Sequence, residues 1–190
     1  MFSNATSPLL FLINTLFALY VIVVIVRILL QLTHAATFHN PISHFVQRLT
    51  ARPVGLLAMG VPRWRNVDVP AMVFAVLLCF VNIEIVLFLT SAHVAAQPLL
   101  PLWWALLKTL TLLCEFYFFA ILVQALLSWF SPRQFSPATA ILWNLNEPLL
   151  RPVRSRLPSI GGLDLSPIVI LIALQVVNMI LLGQIPPLLR

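Results

Sequence analysis

Residues 136–167 read SPATAILWNLNEPLLRPVRSRLPSIGGLDLSP, a stretch that mixes charge, proline and paired glycine between two hydrophobic runs long enough to cross a bilayer. It has a counterpart. An offset of 96 residues pairs Pro41 with Pro137 and sets Ile42, Phe45, Val46 and Leu49 on Ala138, Ile141, Leu142 and Leu145, all apolar. The same register puts Pro62 on Pro158 and Asp68 on Asp164. The chain is therefore a tandem repeat, divided as 1–97 and 98–190.

Composition fixes the class. Of 190 residues 61% are hydrophobic and 8% charged, against about 25% charged in a soluble domain. This is the composition of a membrane protein. The net charge of +6 comes from few groups, clustered beside the hydrophobic runs. Anionic lipid headgroups, not nucleic acid, are the expected partner.

Four spans are expected, over 9–32, 69–90, 103–130 and 165–182, each near the roughly 20 residues that cross a bilayer. Residues 1–8 lack Lys and Arg, so the first run reads as an uncleaved span and not as a signal peptide. Its one charge, Arg27, is expected to snorkel to the interface. Residues 33–68 hold Arg48, Arg52, Arg63 and Arg65, residues 131–164 hold Arg133, Arg151, Arg154 and Arg156, and 91–102 hold no Lys or Arg. The positive-inside rule makes the two long connections cytoplasmic and both termini periplasmic. The fold class is an all-α membrane protein of four transmembrane helices in two parallel repeats, expected to be related by a pseudo-twofold axis along the membrane normal. Each repeat carries a short amphipathic cytoplasmic helical segment between its two spans.

Asn40-Pro41 and Ser136-Pro137 open these segments, each with a capping residue before a proline whose missing N–H costs nothing at the first helical position. Apolar residues at i, i+3, i+4 and i+7 follow. Pro53 and Pro148 are expected to interrupt the helices. Asn146, Glu147, Pro148, Pro152, Gly161, Gly162 and Asp164 form a structural motif in the second repeat, with Asp164 read as a cap of the fourth span.

The run NEPLLRPVRSRLPSIGGLDLSP, preceded by LLSWFSP at 126–132, resembles the signature of the YggT family, also called YlmG. The resemblance covers the whole chain as two copies of the family unit. The first copy departs from it, with Gly55, Ala58 and Gly60 where the second has Arg151, Arg154 and Arg156. What the resemblance implies is an integral inner-membrane protein without an established enzymatic activity, linked in part of the family to extracytoplasmic or osmotic stress. In plastid relatives the link is to covalent haem attachment on cytochrome b6.

Independent signs of catalysis are absent from the sequence. Cys79 and Cys114 lie inside expected helices without a C-x-x-C motif, as apolar fillers. His34, His39 and His44 recur every five residues, which does not suit helical metal ligation. No enzyme, cofactor or metal site is expected. The charged and polar groups within the spans, Glu84, Lys108, Glu115, Gln124, Gln175 and Asn178, should face the bundle or pair with one another, Glu115 with Lys108 first. Two functions follow. One is a membrane accessory protein whose Arg48, Arg52, Arg133, Arg151, Arg154 and Arg156 contact anionic lipid or a membrane-protein partner. The other is a homo-oligomeric ion channel or transporter using Glu84 and Glu115.

Overall fold

In hydrocarbon a backbone donor or acceptor has no water to bond, so an apolar run of this length closes its own hydrogen bonds as a helix. The computed structural model describes residues 3–33, 41–60, 67–90, 99–130, 136–156 and 164–189. These form α1 (Ser3–Leu32), α2 (Pro41–Leu57), α3 (Val69–Leu89), α4 (Leu99–Phe130), α5 (Pro137–Arg154) and α6 (Ser166–Gly183), followed by a 3-10 turn at Pro187–Leu189. Four of them, α1, α3, α4 and α6, are long and apolar enough to cross a membrane. The chain is a multi-pass, all-α membrane protein.

Equivalent helices pair within each repeat, α1 with α3 and α4 with α6. The repeats join through α3 against α4 and α1 against α4, while α6 packs on α4 and α5. Among the described residues α1 and α6 make no comparable contact. The core sits between α1, α3 and α4, where Val21, Val24, Ala75, Ile83, Val86 and Ala105 are at most 1% exposed. Ile168, Ile172, Val176 and Ile180 of α6 face outward, which costs nothing when the solvent is lipid.

The connecting helices run further than their prolines suggest. α2 continues through Pro53, and α5 through Pro148 and Pro152. A proline in a helix leaves the carbonyl four residues earlier without its N–H partner. For Pro53 that carbonyl belongs to Leu49, and it accepts instead from Tyr20 Oη of α1 at 3.2 Å. A side chain from the neighbouring helix takes up the freed acceptor, and the expected interruption does not occur. α5 begins with a full capping box, in which Ser136 Oγ accepts from the Thr139 N–H and Thr139 Oγ1 accepts from the Ser136 N–H.

The two connecting helices use their matching apolar stripes differently. In α5, Ile141 and Leu145 are buried in the main core. In α2 the equivalent Phe45 and Leu49 are exposed, at 62% and 44%, and the helix rests on the bundle through Ser43, Val46, Thr50 and Val54.

Candidate functional site

The buried face of α2 meets α1 at a charged residue. Arg27 Nε donates to Asp68 Oδ2 at 3.0 Å and Nη1 donates to Thr50 Oγ1 at 2.9 Å. Asp68 is 2% exposed and the Arg27 side chain 13%, so Arg27 is held by a protein partner at the end of its span. An acidic partner at the entry to α3 offers its guanidinium a stronger acceptor than the interface would. Three elements are tied by this one side chain, since α1 supplies Arg27, α2 Thr50, and the residue before α3 Asp68. Asp68 makes no side-chain capping bond to α3, and its Oδ1 is buried without a partner among the described residues.

The second repeat distributes the same contacts over more residues. Its first span aligns one residue out of step with the rest, at an offset of 97, which puts Tyr117 on Tyr20, Val123 on Val26 and Gln124 on Arg27. Asn146, equivalent to Thr50, donates from Nδ2 to Gln124 Oε1 at 2.7 Å, and both residues are buried. The span and the connecting helix thus meet at equivalent points in both copies, through a neutral pair in one and a cation in the other. Asp164, equivalent to Asp68, is taken by Arg154 Nε at 2.7 Å and also accepts from the Ser166 N–H at 2.9 Å, which secures the start of α6. Arg154 donates a second bond, from Nη1 to Glu147 at 3.3 Å.

This cluster is open to solvent, with Arg154, Asp164 and Glu147 each about two-fifths exposed. Partial burial favours the neutral acid, but the Ser166 and Arg154 hydrogen bonds outweigh it and hold Asp164 below the ordinary carboxylate pKa. Burial likewise opposes the charged Arg154, and its two carboxylates reverse the sign. Arg151 and Arg156 are exposed, and their side chains meet no described partner. Pro148 and Pro152 are also exposed. Arg133, Gly161 and Gly162 lie outside the described residues, as do His34 and His39.

A third polar centre lies inside the bundle. Lys108 is 8% exposed, and its ammonium donates to the Leu189 carbonyl at 2.7 Å, to Asn82 Oδ1 at 2.8 Å and to Asn14 Oδ1 at 3.4 Å. It is thus satisfied by oxygen acceptors from three other segments. The expected pairing with Glu115 is not formed, because those acceptors already use the three donors of the ammonium. Among the described residues neither Glu84 nor Glu115 has an ion-pair partner within 4.0 Å. Glu84 is exposed on the outside of α3, while Glu115 is half-buried.

In α6, Gln175 is exposed and Asn178 is buried, its Oδ1 without a partner among the described residues. Asn178 is the equivalent of Asn82 at an offset of 96. Cys79 is buried and Cys114 half-buried, both free. The Arg27 centre escaped sequence reasoning, although aligning the first spans at 97 would have set Arg27 against Gln124.

Comparison with known proteins agrees with the duplicated architecture. YggT of Escherichia coli (strain K12) is 38% identical over 178 residues, covering 91% of this chain and 88% of the relative. A Vibrio alginolyticus protein is 37% identical over 175 residues, 92% of this chain and 93% of its own. A Pseudomonas aeruginosa protein is 32% identical over 175 residues, 92% and 88% of the two chains. No solved structure matches. The family pattern described as CCB3/YggT matches twice, over residues 6–89 and again over 103–185. Each match takes in one span, its amphipathic helix and the second span, and by both the double match and the extent of identity the chain belongs to the CCB3/YggT family.

Proposed function

We propose that the protein is a non-enzymatic accessory component of the bacterial inner membrane, contacting anionic lipid or a membrane-protein partner through the basic α2 and α5 side of the bundle. Its physiological setting is osmotic or extracytoplasmic stress, or membrane homeostasis more generally. The α2 and α5 side is cytoplasmic in this reading, with both termini periplasmic. The observation that carries the proposal is the surface of α2, where Phe45, Leu49 and Leu56 are exposed next to Arg48 and Arg52. A helix with that division suits the boundary between headgroups and acyl chains. Arg151 and Arg156 extend the basic surface in the second repeat, each group adding about 1 kcal/mol near an anionic surface, and Arg133 belongs to the same basic set by sequence.

The test is enrichment of phosphatidylglycerol over phosphatidylcholine around the full-length protein in nanodiscs. Replacing Arg48, Arg52, Arg151 and Arg156 with glutamine should reduce the enrichment and its salt dependence. Unchanged enrichment in the folded variant would sink the lipid reading. Orientation is checked separately, by labelling cysteines placed at 48 and 151 from the cytoplasmic side.

A second reading, an oligomeric ion path, draws on the exposed position of Glu84, which only a neighbouring copy would enclose. Ion flux in liposomes that Glu115→Gln abolishes would favour it.

A further inference from the structure

Arg27 is only partly used by the contacts that hold it. Its Nε and Nη1 are engaged by Asp68 and Thr50, and Nη2 donates to no described residue. Arg27 lines a cavity of about 240 Å³ between α1 and α2, together with Leu30, Gln31, Gln47 and Ala51. At about 30 Å³ per water this holds a phosphate group and its first waters. Gln31 and Gln47 each bring an amide able to donate.

The turn of α2, about 100° per residue, orders its surface around this cavity. Ser43, Val46, Thr50 and Val54 face the bundle. Next round the helix come Gln47 and Ala51 at the cavity, then Arg48 and Arg52, then the exposed Phe45, Leu49 and Leu56. Charge distinguishes this place from the second repeat. Here Arg27, Arg48 and Arg52 stand against Asp68 alone, whereas Arg151, Arg154 and Arg156 stand against both Glu147 and Asp164. At the point equivalent to Arg27 the second repeat has Gln124, already bonded to Asn146.

We propose that the cavity beside Arg27 binds the phosphate of an anionic phospholipid headgroup, with Arg27 Nη2 and the Gln31 and Gln47 amides as donors. The inference deepens the proposed lipid contact and rests on it. Guanidinium suits phosphate because it offers several directed N–H groups. Asp68, on the Nε edge and not in the cavity lining, holds Arg27 in place. Arg27 lies about 8 Å from the end of α1 at 1.5 Å per residue, close enough to that end for a headgroup to reach it.

Native mass spectrometry of the full-length protein with added phosphatidylglycerol tests the site. Gln47→Leu and Gln31→Leu, which leave the Arg27–Asp68 pair intact, should each weaken retention of one lipid by about tenfold, the effect of one hydrogen bond to a charged group. Phosphatidylcholine, whose choline cation is repelled by Arg27, Arg48 and Arg52, should be retained more weakly than phosphatidylglycerol, and millimolar inorganic phosphate should not displace the lipid. Displacement by inorganic phosphate would assign the cavity to a free anion and overturn the lipid assignment. Undiminished retention in both glutamine variants, with loss in the Arg151→Gln/Arg156→Gln variant, would overturn this site while leaving the broader lipid contact standing. Equal retention of phosphatidylcholine in every variant would overturn both.

Discussion

Removing the Asp68 carboxylate separates the buried ion pair from the exposed one. In Asp68→Ala the Arg27 guanidinium loses its counter-charge while remaining largely enclosed, with the side chain 13% exposed. Breaking a buried pair from one side costs about 3–5 kcal/mol. The cavity beside Arg27 admits water to part of the group, so the expected loss is at the low end, about 3 kcal/mol. Asp164→Ala breaks a pair whose members are 39% and 38% exposed. An exposed pair contributes about 1 kcal/mol at most, and the lost bond to the Ser166 N–H adds about 1 kcal/mol. Reversible unfolding of the full-length protein in mixed micelles, titrated with a denaturing detergent, measures both. Adding Arg27→Met to Asp68→Ala should recover part of the loss, because the unpaired charge goes with it. If Asp164→Ala proves the more costly, or if the Arg27 and Asp68 losses simply add, burial is not what gives the first pair its weight.

Tyr20→Phe should destabilise by about 0.6 kcal/mol, the usual size of a hydrogen bond between membrane helices. The loss should vanish in a Pro53→Ala background, where the restored N–H satisfies the Leu49 carbonyl, and the same unfolding titration reads it. Asn82→Leu should cost more than the Lys108→Met/Asn82→Leu pair, because the single change removes an acceptor from a buried ammonium while the double change removes the ammonium as well. The pH dependence of Asp164 has a definite sign. Its folded pKa lies below the ordinary 3.8, so its contribution is fully present above that value and fades as pH falls through the folded pKa. Subtracting the stability of Asp164→Asn from that of the parent across pH 2–7 should leave a difference that is flat above about pH 5 and shrinks in acid.

The spans were legible because hydrocarbon imposes length and composition on any helix that crosses it. The expected third span, 103–130, became Leu99–Phe130, and the fourth, 165–182, became Ser166–Gly183. The starts of α2 and α5 were equally readable from a capping residue followed by proline. Their ends were not, since the bond that carries α2 past Pro53 comes from Tyr20, 29 residues from its acceptor. Arg27 and Asp68 are 41 residues apart, and local pattern treats each as a solitary group near a helix end. The stripe on α2 matched that on α5 in polarity at every position, yet Phe45 and Leu49 are exposed where Ile141 and Leu145 are buried. That difference comes from which helices surround each copy, and the stripe itself does not record it.

The bond from Tyr20 to the Leu49 carbonyl also bears on how the first repeat assembles. Alone, the segment around Pro53 carries an unfilled acceptor in mid-helix, and that acceptor is filled when α1 lies beside it. The integrity of α2 therefore reports on its docking, and the two events should be cooperative. A helix that is complete only in contact with its neighbour undocks and unravels together, so α2 should exchange its amide hydrogens as one block with the α1 contact and not fray residue by residue from Leu57.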